Sequence, residues 1–471
     1  MDQINNLDDT IVAISTPLGQ GAIGIVRLSG KDAVSIADQM FIPKKGRRAS
    51  QFKNFTVHYG KVVRDTQKED TIDEALLTMM RAPGSYTKED MVEISSHGGI
   101  VSLRAILTRA LDLGARLAEP GEFTKRAFLN GRMDLAQAEA VLDIIQSKTE
   151  DFLRVSTNQL KGELSMELEA IREILMGVYV ELEAILNFPE DLAADKEKEA
   201  NERLHPLADE IQLAQTRVER LLATSHQGRI MREGIKVVIC GRPNVGKSSL
   251  LNVLLKTPRA IVSAVAGTTR DTIEETAQIK GIPFQLVDTA GILEPRDFIE
   301  EEAIKRSQMS IQSADLVLLV LDNSSGLTKE DQELMKSVRG RNILIVVNKS
   351  DLTGKLDEKE LQRIFSSEKI VKVSALAKQG VKELEEAIVS SVWHGQALES
   401  EGILVSNLRH IEALKKSREA LNGAKDALSH ASLEFVSEEI KRAVNFLDSI
   451  TGRDIDTDLL DTIFSKFCIG K

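Results

Sequence analysis

Cysteine is nearly missing from this chain of 471 residues, which holds two thiols, Cys240 and Cys468. Two cysteines cannot build a disulfide framework, so a stapled extracellular scaffold is excluded and a reducing compartment is expected. Aromatic residues are scarce too, at 4% beside 42% hydrophobic residues in all. Many Leu, Ile, Ala, Glu and Lys with few rings favour helix-rich packing over sandwiches or barrels. No apolar run approaches the roughly 18 residues of a membrane span. The stretch from Met1 to Asp9 is acidic and lacks both a signal core and the arginines of a transit peptide. The expectation is a cytoplasmic protein with no membrane partner. An excess of positive charge is also missing. A net charge of −11 speaks against tight non-specific nucleic-acid binding, which needs a basic surface to displace counterions, but it allows a local basic patch.

The length suggests about three domains, and three textures run along the chain. Up to about Ala118 strands and helices mix. Strands are expected at Thr10 to Ile14, Ile23 to Leu28, Thr56 to Val63, Glu74 to Met80 and Met91 to Ser95. Helices are expected at Lys31 to Met40 and Ile100 to Leu113. From about Asp134 to Leu222 apolar residues recur at helical spacing, as in Leu164, Leu168, Ile171, Leu175 and Val178. Asn187-Phe188-Pro189 interrupts this run, Glu190 to Glu202 reads as an exposed polar stretch, and a helix resumes from about Leu207. Between Glu233 and His394, apolar strands alternate with helices. Those strands are Ile235 to Cys240, Phe284 to Val287, Leu316 to Leu321, Ile343 to Val347 and Ile370 to Val373. Continuous apolar strands of this kind belong to a doubly wound sheet buried on both faces. Helical texture returns over Leu408 to Leu428, Glu434 to Ile450 and Asp456 to Phe467. The pattern therefore predicts an α/β domain inserted into a helical one.

The chemistry is concentrated in the α/β segment. Gly241-Arg242-Pro243-Asn244-Val245-Gly246-Lys247-Ser248 fits G-x-x-x-x-G-K-[ST], between an apolar strand and a helix that continues with Ser249. In that setting the backbone N–H groups and the helix dipole cradle phosphates, Lys247 reaches the β- and γ-phosphates, and Ser248 ligates Mg²⁺. Phosphates do not distinguish GTP from ATP. Asn348-Lys349-Ser350-Asp351 does, because the Asp351 carboxylate can accept from guanine N1–H and the 2-amino group, donors that adenine lacks there. Lys349 can lie against the ring, and Ser374-Ala375 after the next strand would complete the base pocket. In Asp288-Thr289-Ala290-Gly291, Asp288 would hold Mg²⁺ through water and the Gly291 N–H would meet the γ-phosphate. Thr269 is the expected second Mg²⁺ ligand.

The water-orienting group is less direct. Ile292 stands where Ras-like GTPases place a Gln, so the role falls to another residue; Glu294, Glu300, Glu301 and Glu302 are nearby. Arg242 and Arg270 are close in sequence, though either can be a surface residue. The Asn244 amide oxygen can help hold a monovalent cation against the phosphates, or it can cap the turn.

Outside these motifs, Thr16-Pro17-Leu18-Gly19-Gln20-Gly21-Ala22-Ile23-Gly24-Ile25-Val26-Arg27-Leu28-Ser29-Gly30, His97-Gly98-Gly99, Pro120 to Gly131 and the ending Phe467-Cys468-Ile469-Gly470-Lys471 resemble signatures of the MnmE (TrmE) tRNA-modification GTPases. The resemblance spans essentially the whole chain. It implies an α+β tetrahydrofolate-binding and dimerisation domain (residues 1–133), an all-α helical domain in two parts (134–232 and 398–471), and an inserted α/β P-loop G domain (233–397). It implies a homodimer working with a flavoprotein, MnmG, in a heterotetramer. Together they would build an aminomethyl or carboxymethylaminomethyl group at C5 of the wobble uridine (position 34) of certain tRNAs. The one-carbon unit would come from 5-formyl- or methylene-tetrahydrofolate, and hydrolysis would be stimulated by K⁺ between two G domains. By matching positions, Asn244, Ser263, Val265 and Thr268 become potassium ligands and Glu300 the water-orienting residue. Arg27, Glu93, Arg132 and Lys471 become folate contacts, and Arg132 stands where some members have Lys. Cys468 becomes a thiol of the modification chemistry, against the bland reading of a buried, inert cysteine, and Cys240 is expected in the core. The competing reading is a ribosome-assembly GTPase acting as an RNA-binding switch; the acidic balance and the two terminal signatures speak against it.

Overall fold

The computed structural model describes residues 8–46, 48–67, 70–187, 196–255, 274–288, 309–366, 368–393, 402–429, 433–454 and 456–471; of residues 196–204, 274, 275, 288 and 358 it describes the backbone alone. These residues fall into two compact units. One is drawn from residues up to Leu142, Asn158–Ile211 and Ala420–Lys471; the other comprises Asp143–Thr157 and Gln212–Glu419.

The first unit opens with a seven-stranded sheet. Its strands are β1 (Ile11–Ile14), β2 (Gly21–Ser29), β3 (Phe41–Pro43), β4 (Thr56–Val63), β5 (Thr71–Met80), β6 (Met91–Gly98) and β7 (Arg116–Leu117), in the spatial order β3-β4-β5-β6-β2-β1-β7. All neighbours run antiparallel except β1 and β7. Side chains alternate between the two faces of a strand. Val26, Leu28, Leu77, Met79, Val92 and Ile94 point to one face, where helices Ala33–Met40 and Ile100–Asp112 cover them. Arg27 and Glu93, between those positions, therefore point to the other face.

The helical part of this unit joins residues from both sides of the G domain. The buried stripe Leu164, Leu168, Ile171, Leu175, Val178 and Leu182 on helix Glu163–Asn187 packs against helix Leu433–Thr451. Arg172 Nε meets Asp448 Oδ1 at 2.8 Å, and Ser437 Oγ donates to Glu183 Oε1 at 2.7 Å. Segments about 250 positions apart thus form one antiparallel pair, as an inserted α/β domain requires.

In the second unit a six-stranded sheet has the order β13-β12-β11-β8-β10-β9. Its members are β8 (Ile235–Cys240), β9 (Glu274–Ile279), β10 (Ile282–Asp288), β11 (Leu316–Asp322), β12 (Ile343–Asn348) and β13 (Lys369–Lys372). Only the edge strand β9 is antiparallel to its neighbour. Leu316, Leu318 and Val320 face a core with Leu250, Leu254, Leu384 and Ile388; Val317, Leu319 and Leu321 face a second core with Met335, Val338 and Leu361. Burial on both faces is why these strands read as unbroken apolar runs.

Strand β9 and the helix expected from Leu207 differ from the sequence expectation. Strand β9, Glu-Glu-Thr-Ala-Gln-Ile, is too polar to be read as a strand. It forms because Lys280 and Gly281, both at positive φ (49° and 83°), make the tight turn of a hairpin with β10. The helix expected from Leu207 begins at Lys196 and carries Pro206 inside it. Its first turns carry no apolar stripe in sequence, and among the side chains described Leu207, Ile211, Ala214, Val218 and Leu221 are buried.

Candidate functional site

The carboxyl ends of β8, β10, β11 and β12 share one edge of the sheet. The chain leaves β8 for β9 and β10 on one side and then places β11 on the other side of β8, which makes this edge the switch point where α/β sheets take up ligands. The P-loop leaves β8 there and enters helix Lys247–Leu255. Val245 is fully buried beneath the loop, whereas Asn244, Ser248 and Ser249 are exposed. Asn244 lies at φ 64°, a left-handed turn that asparagine tolerates better than most residues. Lys247 is buried and folds across its own loop, its Nζ donating to the Gly241 and Arg242 carbonyls at 2.9 and 3.0 Å. The ammonium is thus held at the mouth of the cradle.

Asn348 joins three segments. Its Nδ2 donates to Val245 O at 2.8 Å, and its Oδ1 accepts from the Ala375 N–H at 3.1 Å. The P-loop, the end of β12 and the loop after β13 are thereby fixed together. Gly246 completes the fit: it has φ +95°, and a Cβ there would overlap the Asn348 amide nitrogen. Lys349, at φ 61°, donates from Nζ to Asn244 O at 2.8 Å and pairs with Asp322 Oδ2 at 2.7 Å. Ser374 Oγ donates to Asp351 Oδ1 at 2.5 Å and accepts from the Ala377 N–H, which ties the exposed Asp351 carboxylate to the loop after β13. The structure therefore gathers Asn244 to Ser249, Asn348, Lys349, Asp351, Ser374 and Ala375 at one edge. Asp288 ends β10 at the same edge. Ser263, Val265, Thr268, Thr269, Thr289, Ala290, Gly291 and Glu300 lie outside the described residues.

Arg242 is no surface residue. Its guanidinium is turned away from the cradle, hydrogen-bonded to Ser325 Oγ and near Asp331 (3.4 Å) and Asp322 (3.9 Å). Asp322 escaped the motif reading. Its one sequence signal is a carboxylate closing the wholly apolar run Leu316 to Leu321.

The folate candidates lie in the first unit. Arg27 and Glu93 are register partners on β2 and β6, and Arg27 Nε donates to Glu93 Oε1 at 2.8 Å. The last residues of the chain come to the same place. Ile469 bridges Pro120, Gly121 N donates to Cys468 O, Phe123 N donates to Lys471 O, and Arg27 Nη1 donates to Gly470 O at 3.1 Å. Gly470 is required by the close approach, since its φ is +94° and a Cβ would lie 2.6 Å from Ile14 O. Burial, with Arg27 close by, lowers the Lys471 pKa, although Glu93 and Cys468 oppose this. Cys468 is exposed, which removes the reading of a buried, inert thiol, whereas Cys240 is buried in β8 as expected.

Arg132 stands on the Tyr86 ring at 4.5 Å and donates to Tyr86 O at 3.0 Å, while Arg27 lies over Phe123 at 5.5 Å. Tyr86 carried no signal in the sequence, and Phe123 appeared there only within the Pro120 to Gly131 signature. They pack in one cluster, so both arginines rest on a shared aromatic base. The place suits a reduced folate. It offers a carboxylate for the donor edge of a pterin, three cationic side chains for glutamate carboxylates, and a buried Ser15 hydroxyl without a partner beside Gly470.

A phosphate-cradling loop at the switch point of a doubly wound sheet, with a base-reading Asn-Lys-x-Asp segment beside it, defines a P-loop GTPase. The family model described as the GTP-binding protein TrmE N-terminus matches residues 10–132, and the MnmE helical domain model matches residues 135–468. The chain is 43% identical to the tRNA modification GTPase MnmE of Desulforamulus reducens, over 99% of this chain and 100% of that protein. It is 44% identical to the MnmE of Alkaliphilus metalliredigens, with the same coverage. Among solved structures it is similar to Aquifex aeolicus Era bound to GDP and aluminium fluoride, at 30% identity and a TM-score of 0.28, over 40% of this chain and 66% of that one. The chain belongs to the MnmE family.

Proposed function

We propose that this enzyme hydrolyses GTP to drive modification of C5 of the wobble uridine (position 34) in certain tRNAs, acting as a homodimer with the flavoprotein MnmG. The observation that carries this reading is the meeting of Arg27, Glu93 and the Cys468–Lys471 tail in the α+β domain of a chain whose other unit is a GTPase. Neither half alone calls for the other.

In the G domain, Lys247 and the P-loop N–H groups would hold the β- and γ-phosphates, Ser248 and Thr269 would hold Mg²⁺, and Asp288 would hold it through water. Asp351 accepts from the guanine edge. Asn244, with Ser263, Val265 and Thr268, would hold K⁺, which supplies positive charge beside the phosphates. Glu300 orients a water, which attacks the γ-phosphorus as the bond to the bridging oxygen breaks, leaving GDP and phosphate. In the α+β domain Glu93 and the cations Arg27, Arg132 and Lys471 would hold the folate, which supplies a one-carbon unit when bound. Cys468 is exposed in the docked tail that ends at Lys471.

The test is nucleoside analysis of tRNA from a strain lacking this chain, with and without its return. The modified wobble nucleoside should vanish and then reappear; an unchanged nucleoside profile would sink the proposal. At the G domain, Glu300→Ala should lower kcat by about 10²- to 10³-fold, in the range for a group acting on the proton of the attacking water, and leave GDP affinity unchanged. The parent should turn over faster in potassium than in sodium, and equal rates would remove K⁺ from the site.

A further inference from the structure

Asp322 closes β11 at the nucleotide edge, and nothing in the P-loop or Asn-Lys-x-Asp patterns calls for it. Its carboxylate is only 8% exposed. Oδ1 accepts from Ser324 N at 2.8 Å and Ser324 Oγ at 2.6 Å. Oδ2 takes the Lys349 ammonium at 2.7 Å and lies 3.9 Å from Arg242 Nη2. Each partner belongs to a different half of the site. Lys349 carries the base-reading segment, and its Nζ also donates to Asn244 O; Arg242 is the second residue of the P-loop, anchored further to Asp331 and Ser325.

Two costs show that this arrangement must be held. Lys349 sits at φ 61°, a conformation that lysine rarely adopts. Its long side chain must also be fixed in one rotamer if it is to meet a guanine ring without losing entropy on binding. A low-exposure carboxylate facing two cations answers both, because charge-assisted hydrogen bonds are strong where water is excluded.

We propose that Asp322 is a positioning residue of the guanine-nucleotide site, presetting Lys349 for the base and holding Arg242 so that the P-loop is shaped before nucleotide arrives. Asp322 touches neither base nor phosphate and acts through Lys349 and the loop. The inference rests on the guanine-binding reading of this site.

The test uses the full chain and a fluorescent GDP analogue, with GTP and ITP as competitors. Asp322→Asn keeps the shape and removes the charge. It should weaken nucleotide binding about ten- to hundredfold, as for loss of one hydrogen bond to a charged group. KM for GTP should rise while kcat at saturation stays within about threefold. GTP and ITP should lose affinity in equal proportion, since Lys349 meets the ring common to both; Asp351→Asn, by contrast, should shrink the preference for GTP. In a Lys349→Met background, Asp322→Asn should cost much less than it does alone. Asp322→Glu keeps the charge but displaces it and should give a smaller loss of the same pattern, a second reading should the Asn variant not fold. Affinity within twofold of the parent, fully additive losses, or a shifted GTP-to-ITP ratio in Asp322→Asn would each overturn the proposal. Failure of the parent itself to bind GDP would instead refute the guanine reading.

Discussion

Cys240 and Cys468 have the same side chain and opposite environments. Burial pushes the Cys240 thiol up to about 12, although Lys247 opposes the shift. Cys468 is exposed in the docked tail. Because the thiolate is the nucleophile, iodoacetamide at neutral pH should label one cysteine per native chain, at Cys468, and both after unfolding. Mass spectrometry of the labelled peptides decides it; modification of Cys240 in the native protein would contradict its burial. Cys240 could be placed from sequence, because a cysteine within Ile235 to Cys240 has no exposed face. Cys468 could not, because its exposure depends on a tail pairing with Pro120 and Gly121, far away along the chain. Asn348 was legible as part of a motif. Its bond to Val245 was not, because it depends on which strands lie side by side.

The helix Lys329–Val338 is set by its own first turn. Thr328 Oγ1 accepts from Asp331 N, and Asp331 accepts from Thr328 N at 3.0 Å, a reciprocal capping box. Thr328→Ala should cost about 1 kcal/mol of G-domain stability, the usual loss for such a cap, measured by chemical denaturation. A change below about 0.3 kcal/mol would show that tertiary packing alone holds this turn. Elements with strong periodicity, such as the helix Glu163–Asn187 and the five apolar strands, were readable because their burial pattern is written in one short segment. Strand β9 and the first turns of the helix Lys196–Ala223 carry too little apolar patterning for that. The Thr224 Oγ1 bond to Val405 N at 3.1 Å, with Gly228 packed directly on Val405 O, pins together the two chain segments that enter and leave the G domain.

On the scale of the whole molecule, the α+β domain is tied together by a charge network around Arg126, which is 1% exposed. Its guanidinium meets Asp9, Glu89 and Glu122, and Arg116 pairs with Asp9 and Glu122 as well. Burial by itself would raise the carboxyl pKa values of Asp9 and Glu122. Hydrogen bonds and charge from Arg116 and Arg126 reverse the effect and hold both below their ordinary range. A depressed folded-state pKa contributes stability that is present above the unfolded value, about 4, and is lost as pH falls through the folded value. Acid should therefore loosen this domain below about pH 4. Arg126→Met takes the cation from Glu89 and leaves Asp9 and Glu122 with Arg116 alone, and should cost about 3–5 kcal/mol at neutral pH. Calorimetry across pH should show the deficit shrinking in acid, and a deficit that stays constant with pH would refute the linkage.

The bond from Arg27 to the Gly470 carbonyl spans 443 positions. At 5–20 residues per second, roughly 20 to 90 seconds of translation separate the two ends of that contact. Throughout that interval the α+β domain waits on the ribosome with its tail groove vacant, while the entire G domain is synthesised and can fold. GTP can thus be bound by a nascent chain whose other site is not yet assembled.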